Sequence, residues 1–451
     1  MKVSSFSSVS HLKLGLATLF LFLSGALAFV PSMKRRILPW LGLTELSAVS
    51  TELELERLIG ETKKATSEQT PFSEVELDSA ILSIQNLAGA KGRSTIDWLA
   101  LRAKFAECAH LSHKDFDRST IFASDMKGLL KGVSDDTFRD IFRRVLEDGN
   151  WYKASAYSEE LNNAGRSEEQ KPWAVLVTGL NGIRKTSSIY QPWFHEVLKQ
   201  ALIKEDLDAR TVKQLPQGDN CFFRQLDFLV ATMANQAFHD LYDSAVIKDD
   251  DVLTYTRLKD ALFARYRPLA EIVGILLVEE AKKRQLNVIV ETSGRDIAMF
   301  QYMDHCFPKD VYNRLVVHFT INDLRYAERS VDTRMRNEMK AGRSALKQLY
   351  SGSSTHNEEE ALSLHQALVG ANEGGPYGSA QLAGVQAASN LVWDRISAES
   401  TRDDDYAGKI NRSENWYRAS IKIHASDTEP WKAEADTGVD QKATVFEFVR
   451  R

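Results

Sequence analysis

Phosphate binding is the chemistry suggested by the stretch Trp173–Ser188, which reads WAVLVTGLNGIRKTSS. An apolar run, Ala174–Val177, leads into a glycine-containing turn and then into Lys185-Thr186-Ser187, where a helix could start. This is the layout of a phosphate-binding P-loop, G-x-x-x-x-G-K-[ST]. Gly179 fits the first glycine of that pattern, but Arg184 replaces the second. Because backbone N–H groups of the loop can still point at an anion, we expect a phosphate site with one altered position.

A second polar group follows another apolar run, in the stretch NVIVETSGRD that begins at Asn287. Glu291, Ser293 and Arg295 occupy alternate positions, so in an extended chain their side chains project from one side. A carboxylate, a hydroxyl and a guanidinium group placed together could bind a magnesium-bridged phosphate or a polar substrate. The alternative is a strand-end cap with an ordinary surface arginine.

An acidic residue precedes the segment CFFRQLD, since Asp219 stands two residues before Cys221. This pattern suits a corner between a strand and a helix that holds a carboxylate near a substrate. The alternative needs no function, because aspartate is also a preferred N-cap residue.

The segment Asn322–Arg343, NDLRYAERSVDTRMRNEMKAGR, is rich in arginine. Its arginines are Arg325, Arg329, Arg334, Arg336 and Arg343. Charged runs are usually solvated helix faces with salt bridges to neighbouring acids. After a P-loop, however, such a segment can also supply the arginines that neutralise a phosphoryl group in transfer.

The elements that would position these residues alternate between strand and helix. The predicted strands are Ala174–Val177, Asn287–Val290, Leu315–Phe319 and Ser420–Ile423. Helical spacing marks the intervening stretches Phe222–Tyr242, Leu258–Arg284, Leu324–Tyr350 and Ala361–Val369. Strands separated by helices predict an α/β fold with a parallel sheet covered on both faces, and ligands of such sheets collect at the carboxyl ends of the strands.

A separate α-helical module is predicted for residues 49–165, ahead of an α/β domain at residues 166–451. Apolar residues recur there at steps of three and four, as in Leu77–Ala88, Trp98–Cys108 and Phe138–Val145, which indicates amphipathic helices packed on one another. The module shows no candidate chemistry and offers a surface for a protein partner. A polar linker, Asn162–Lys171, separates it from the α/β domain.

The N-terminus has the pattern of a targeting sequence. Residues 1–28 resemble a signal peptide, with an apolar run too short for a convincing membrane span, so no stable membrane anchor is expected in the mature chain. Phe29 and the segment that follows it up to residue 48, which is acid-free as far as residue 44 and contains Lys34, Arg35 and Arg36, resemble the bipartite presequences of algae with complex plastids. The resemblance implies import into a plastid stroma; the alternative is secretion or an endomembrane location.

Bulk properties restrict the partners. The chain has 451 residues and a formal net charge of −5, although its first 44 residues contain five basic and no acidic residues. The acidic remainder argues against nonspecific nucleic-acid binding. The widely spaced cysteines, Cys108, Cys221 and Cys306, indicate neither a zinc site nor a disulfide framework.

Taken together, the motifs resemble the zeta-toxin family of P-loop kinases, over Trp173 to about Ser426. Glu291-x-Ser293-x-Arg295 is similar to the family's Glu-Gly-Thr-x-Arg substrate-binding strand end. Gly179, Gly182, Lys185, Thr186 and Ser187 match its P-loop, and Arg184 departs from it. Arg329, Arg334 and Arg336 are its candidate lid arginines, and Gly374-Gly375 is similar to the Gly-Gly that follows the lid. The family's acidic base would fall on Cys221, which leaves Asp219 as the nearest carboxylate.

The resemblance implies a P-loop NTPase-type sheet and an ATP-dependent kinase that phosphorylates a hydroxyl of a small molecule, with nucleotide sugars as the family precedent. Gly179, Gly182, Arg184, Lys185, Thr186 and Ser187 would then bind ATP, with Thr186 as a ligand of Mg²⁺. Lys185, Asp219, Arg329 and Arg334 would be catalytic, and Glu291, Ser293 and Arg295 would bind the substrate. Arg184 and Cys221 favour the alternative, a catalytically inactive pseudokinase that serves as a nucleotide-binding or scaffold protein.

Overall fold

The protein was analysed as a computed structural model that describes residues 48–165, 170–202, 215–243, 247, 251–351, 358–397, 416–436 and 444–448. The predicted signal peptide, nearly all of the predicted transit segment and residues 166–169 of the predicted linker lie outside these ranges. The chain divides into two compact units, residues 1–60 and residues 61–451. In the smaller unit, the described residues belong to the first helix.

Helices make up the described chain before the first strand, as the spacing of apolar residues predicted. They are α1 Ala48–Ser67, α2 Glu74–Leu87, α3 Gly89–Thr95, α4 Trp98–Cys108, α5 Phe116–Leu130, α6 Asp136–Asp148 and α7 Trp151–Asn163. Local capping fixes several of their starts. Ser73 accepts a hydrogen bond from the Glu76 backbone N–H while Glu76 accepts one from the Ser73 backbone, which is a capping box at the start of α2.

Beyond α7, strands and helices alternate. The strands are β1 Trp173–Gly179, β2 Cys221–Arg224, β3 Asn287–Glu291, β4 Asn313–Ile321, β5 Trp416–His424, β6 Trp431–Asp436 and β7 Thr444–Phe448. The helices are α8 Lys185–Ser188, α9 Pro192–Leu202, α10 Leu226–Met233, α11 Asn235–Asp243, α12 Val252–Lys283, α13 Ala298–Cys306, α14 Leu324–Ser351, α15 Glu358–Asn372 and α16 Ser379–Ser397. Among the described residues, none of the helices has the length and apolar character that a bilayer span requires.

The α/β class is confirmed, but the sheet is mixed rather than wholly parallel. Its strand order is β2-β3-β1-β4-β5-β6-β7. The first five strands in that order are parallel, whereas β6 and β7 pair antiparallel as an extension after β5. The four predicted strands correspond to β1, β3, β4 and β5, and the sequence analysis did not identify the other three.

Strand β2 corrects the prediction of a helical stretch from Phe222 to Tyr242. Cys221–Arg224 is instead extended and pairs parallel with Asn287–Val290 of β3, and the helix begins only at Leu226. A short apolar run cannot be assigned to helix or strand from periodicity alone, and here a neighbouring strand decides it. The consequence is that the residues after Arg224 lie at the carboxyl end of a strand.

The core forms where alternate residues of the central strands face one layer of helices. Val175 and Val177 of β1 pack in a cluster that includes Phe194 of α9 and Ala327 of α14. The connection from β1 runs to β2, past β3, while the connection from β3 runs to β4, past β1. Because neighbouring strands send their chains in opposite directions, a crevice forms at their carboxyl ends, where ligands of open α/β sheets bind.

Candidate functional site

The turn from the end of β1 into α8 contains two glycines that no other residue could replace without strain. Gly179 has φ of 127°, and a Cβ atom there would lie 2.3 Å from the carbonyl oxygen of Phe319. Gly182 has φ of 85°, and its Cβ would lie 2.7 Å from the carbonyl oxygen of Ala327. The loop is therefore folded tightly against the end of β4 and the first turns of α14.

Arg184 adopts the backbone conformation that a glycine would favour at its position. Its φ of 69° and ψ of 24° lie in the left-handed region, and Lys185 then begins the four-residue helix α8. The hydroxyl of Ser187 donates a hydrogen bond to the Arg184 carbonyl oxygen at 3.1 Å. The turn is therefore kept although arginine stands where the P-loop pattern has glycine. The left-handed backbone of this non-glycine residue carries a steric cost.

Lys185 and Thr186 both bind one carboxylate from the neighbouring strand. Lys185 Nζ lies 3.2 Å from Glu291 Oε1, and the Thr186 hydroxyl donates to Glu291 Oε2 at 2.7 Å. The same ammonium group donates to the carbonyl oxygens of Gly179 and Leu180 at 2.8 and 2.7 Å. Burial lowers the pKa of Lys185, and the Glu291 carboxylate opposes that change. The two predicted motifs therefore meet, as their positions at the ends of adjacent strands implied.

The residues after Glu291 close the same end of the sheet. The carbonyl oxygen of Ser293 accepts a hydrogen bond from the backbone N–H of Gly179 at 3.3 Å, which ties the two strand ends together. Arg295 is exposed, and its guanidinium carbon lies 4.9 Å from the ring centroid of Tyr377, within cation–π range. Ser293 and Arg295 therefore lie beside the loop that Gly179 begins.

Asp219 and Cys221 lie at the opposite edge of the sheet. Cys221 begins β2 and pairs with Asn287, the first residue of β3, whereas Glu291 is the last residue of β3. Four residues of strand separate these edges, which corresponds to about 13 Å. Cys221 is buried, and burial raises the pKa of its thiol. The structure thus does not bring the predicted base, Asp219, to the other site residues.

A different carboxylate, Asp227, occupies the carboxyl end of β2. It is half-buried and follows the strand by three residues. Burial raises its pKa, while the positive charges of Arg267, Lys259 and Arg334 lower it. Because the sequence predicts a helix over Phe222–Tyr242, it indicates no strand end before Asp227; the signal for this residue is an acid shortly after an apolar run.

The segment Gly374-Gly375 passes between two groups of site residues. A Cβ atom at Gly374 would lie 2.1 Å from Glu338 Oε1, and one at Gly375 would lie 2.6 Å from Asn181 Nδ2 and 3.2 Å from Asp227 Oδ2. A side chain at either position would therefore displace the Glu338 or the Asn181 side chain. Asn181, in the loop after β1, consequently faces Asp227 across this segment.

Arg334 is the predicted lid arginine that reaches the site. It donates to the carbonyl oxygen of Gly375 at 2.7 Å, and its Nε lies 3.4 Å from Glu338 Oε1. Lys259, which has no exposed surface, also binds Glu338, at 2.6 Å. This ion-paired group holds Arg334 against the Gly374-Gly375 segment.

The other candidate lid arginines face elsewhere. Arg329 is exposed and pairs with Asp427 at 3.0 Å, beyond β5. Arg336 is exposed on α14. A helix has 3.6 residues per turn, so residues five apart, such as Arg329 and Arg334, cannot share one face.

Comparison with known proteins gives no relative. No family model, no curated protein and no solved structure matches the chain.

The oxygen donors at this site suit a magnesium ion that is shared with a phosphate. Mg²⁺ prefers one or two carboxylates together with substrate phosphate oxygens and water. The Thr186 hydroxyl and the Glu291 carboxylate are 2.7 Å apart, and Asp227 faces the same crevice. Thr186 is exposed, so its oxygen is accessible for such a ligand.

Proposed function

We propose that this chain is an ATP-dependent kinase that phosphorylates a hydroxyl group of a small molecule. The observation that carries the proposal is the convergence of Lys185 and Thr186, consecutive residues after β1, on Glu291 at the end of β3. A lysine, a hydroxyl and a carboxylate are the groups that recur where a nucleotide triphosphate and its magnesium ion bind. They lie at the crevice where the connections of β1 and β3 diverge.

In this proposal Lys185 binds the β- and γ-phosphates after its ammonium group leaves the loop carbonyls. Thr186 and Glu291 would hold Mg²⁺, which supplies charge neutralisation at the phosphates when bound. Arg334, fixed by Glu338, reaches toward the same space and would stabilise negative charge on the phosphoryl group in transfer.

Asp227 replaces Asp219 as the proposed base. Its carboxylate accepts the proton of the acceptor hydroxyl as the hydroxyl oxygen bonds to the γ-phosphorus. The bond from the γ-phosphorus to the bridging oxygen breaks, and ADP leaves with that electron pair. Burial raises the pKa of Asp227, which makes its ionised form a stronger base than an exposed aspartate.

The acceptor is proposed to lie beside Ser293 and Arg295, at the end of β3. Both residues are accessible. Arg295 lies next to Tyr377, and the carbonyl oxygen of Ser293 binds the backbone N–H of Gly179. The resemblance to zeta toxins makes nucleotide sugars the first acceptors to test.

The test is Mg-ATP binding and ADP formation by the wild-type chain, Lys185→Met and a control, Lys199→Met, with a panel of hydroxyl-bearing acceptors. Lys199 is a surface residue paired with Glu196 at 2.7 Å, so its loss should change neither quantity. Loss of Lys185 should lower the turnover number about 10²- to 10³-fold, since it removes a charge aimed at the transferring group. Absence of Mg-ATP binding to the wild type, or unchanged turnover in Lys185→Met, would contradict the proposal.

The second candidate function is nucleotide binding without transfer. It is favoured by the engagement of Lys185 with two carbonyl oxygens and Glu291, which a nucleotide must disrupt. Mg-ATP binding that depends on Lys185, together with no ADP formation for any acceptor, would select this function.

A further inference from the structure

A buried ion-pair group lies behind Asp227, at the carboxyl end of β2. Arg224, the last residue of β2, binds Glu271 Oε2, and Arg267 Nε lies 3.4 Å from Glu271 Oε1. Both oxygens of one carboxylate are thus held by different arginines. Burial would raise the pKa of Glu271, but the charges of Arg224 and Arg267 and the hydrogen bond from Arg224 outweigh it and lower the pKa to about 2. Glu271 therefore stays ionised and orients both arginines.

The two arginines differ in what their guanidinium groups can still bind. The Arg224 side chain is 3% exposed and also stacks on Tyr302, whereas the Arg267 side chain is 34% exposed. Within the described residues, Arg267 hydrogen-bonds only through Nε, to Glu271. Arginine carries five N–H donors in a planar fork. The outer end of the Arg267 fork is consequently available to a ligand.

Arg267 faces the acceptor side of the proposed site. It lies at the carboxyl end of β2, because Glu271 joins it to Arg224, and β2 pairs parallel with β3, which Arg295 follows. Burial raises the pKa of Tyr377, and the charges of Arg295 and Arg267 oppose that change; the Tyr377 ring lies under Arg295. Arg267, Arg295 and Tyr377 therefore border one space beside Asp227.

Charged side chains are concentrated around this space. The cationic ones are Lys185, Arg224, Lys259, Arg267, Arg295 and Arg334, and the carboxylates are Asp227, Asp260, Glu271, Glu291, Glu338 and Glu373. Lys185 binds the loop carbonyl oxygens after β1, whereas Arg267 is held by Glu271 at the carboxyl end of β2. Lys185 and the outer end of Arg267 are therefore separate points at which an anionic group can bind.

We propose that Arg267, positioned by Glu271 and assisted by Arg295, binds a phosphate-like anionic group of the acceptor molecule. This inference rests on the proposed function and assigns the acceptor to the class of small anionic molecules. A planar fork held by a fixed carboxylate suits two parallel hydrogen bonds to phosphate oxygens. The hydroxyl that is phosphorylated would then be oriented toward Asp227 by a charge at a second point.

The test is a titration of inorganic phosphate into the full chain, with and without saturating Mg²⁺ and a non-hydrolysable ATP analogue. With the nucleotide loop occupied, the wild type should still bind one equivalent of phosphate. Arg267→Gln should weaken this binding at least about tenfold, as expected for a charge-assisted hydrogen bond. Arg267→Lys, which keeps the charge and loses the fork, should bind with intermediate affinity, and Arg336→Gln should match the wild type.

Retained nucleotide affinity in Arg267→Gln shows that the variant is folded and that the two sites are separate. Phosphate binding that is absent from the wild type, or equal in the wild type and Arg267→Gln, would overturn the inference. If the nucleotide analogue does not bind to the wild type, the proposed function is contradicted. Phosphate is then titrated into Lys185→Met, in which the nucleotide loop has lost its lysine, so that binding at Arg267 is measured separately. In that background, added Arg267→Gln should still weaken phosphate binding, and equal binding would again overturn the inference.

Discussion

The two edges of the parallel part of the sheet satisfy their polar groups in different ways. At the amino edge, the backbone N–H of Trp173 donates to Asn287 Oδ1 at 2.9 Å, and Asn150 Nδ2 lies 2.9 Å from the carbonyl oxygen of Asp219. These are neutral hydrogen bonds within the fold. At the carboxyl edge, the ionisable side chains of Lys185, Glu291 and Arg334 pair with other charged groups close to turns with positive φ.

The difference indicates which edge the fold keeps for function. The amino edge also holds a charged pair, the buried Arg314 with Asp304, and Asp304 accepts a further hydrogen bond from the Trp416 indole N–H, so these groups are satisfied within the fold. Left-handed backbone also occurs near the amino edge, at Asn150 and Gln285. The carboxyl edge differs because its turn, with positive φ at Gly179, Gly182 and Arg184, lies beside the bound group of Lys185, Thr186 and Glu291. Strain and buried charge persist only where the surrounding structure enforces them, and they concentrate at functional sites.

The largest effect should come from neutralising a carboxylate at the carboxyl edge of the sheet, compared with the same change at the amino edge. Asp227→Asn should lower the turnover number about 10²- to 10⁴-fold, since it removes a general base without changing the size of the side chain. Asp219→Asn, at the amino edge, should leave turnover unchanged. Steady-state ADP formation measures both; equal loss in the two variants, or loss only in Asp219→Asn, would reverse the assignment.

A smaller effect should appear when a methyl group is added to the tight turn at the carboxyl edge. Gly179→Ala should lower the free energy of unfolding by about 2–4 kcal/mol, because its Cβ meets the Phe319 carbonyl oxygen and its φ suits only glycine. Gly384→Ala is the control. Gly384 lies in α16 with open space around the added Cβ, so alanine there should stabilise by about 0.5–1 kcal/mol. Urea unfolding checks both, and similar changes in the two variants would show that the loop is not tightly constrained.

The smallest effect compares two left-handed residues, one near each edge. Arg184→Gly should stabilise the protein by about 0.5–1 kcal/mol, because glycine adopts a positive φ without a steric cost. Asn150→Gly should instead destabilise it, since the Asn150 amide binds the carbonyl oxygens of Gly218, Asp219 and Cys221. Midpoints of urea unfolding give the sign of each change, and destabilisation by Arg184→Gly would mean that the arginine contributes more than its backbone conformation costs.

The sequence predicted the parts of the site that local pattern determines. The P-loop stretch and Glu291-x-Ser293-x-Arg295 each follow an apolar strand, so their position at one sheet edge followed from chain order. Asp227 and Arg267 could not be placed in the same way. Recognition of Asp227 required the strand β2, which is fixed by its pairing with β3, and Arg267 lies within a long helix whose orientation depends on tertiary packing.

The antiparallel strands β6 and β7 were missed for a related reason. Alternating residues of β6 are buried and half-exposed, and its sequence WKAEAD contains charged residues at the half-exposed and exposed positions. Such a segment has little strand propensity by itself. Its pairing with β5, which continues the central sheet, makes it a strand.

Hydrogen–deuterium exchange with and without Mg-ATP tests the central claim most directly, because it compares the two edges in one experiment. Mg-ATP should slow exchange at residues 179–188, 291–295 and 374–377, and it should leave exchange unchanged at Asn150 and at residues 215–221. Lys185→Met should remove the protection at the same Mg-ATP concentration. Mg-ATP binding that leaves residues 179–188 unprotected, or that protects the amino edge instead, would contradict the account.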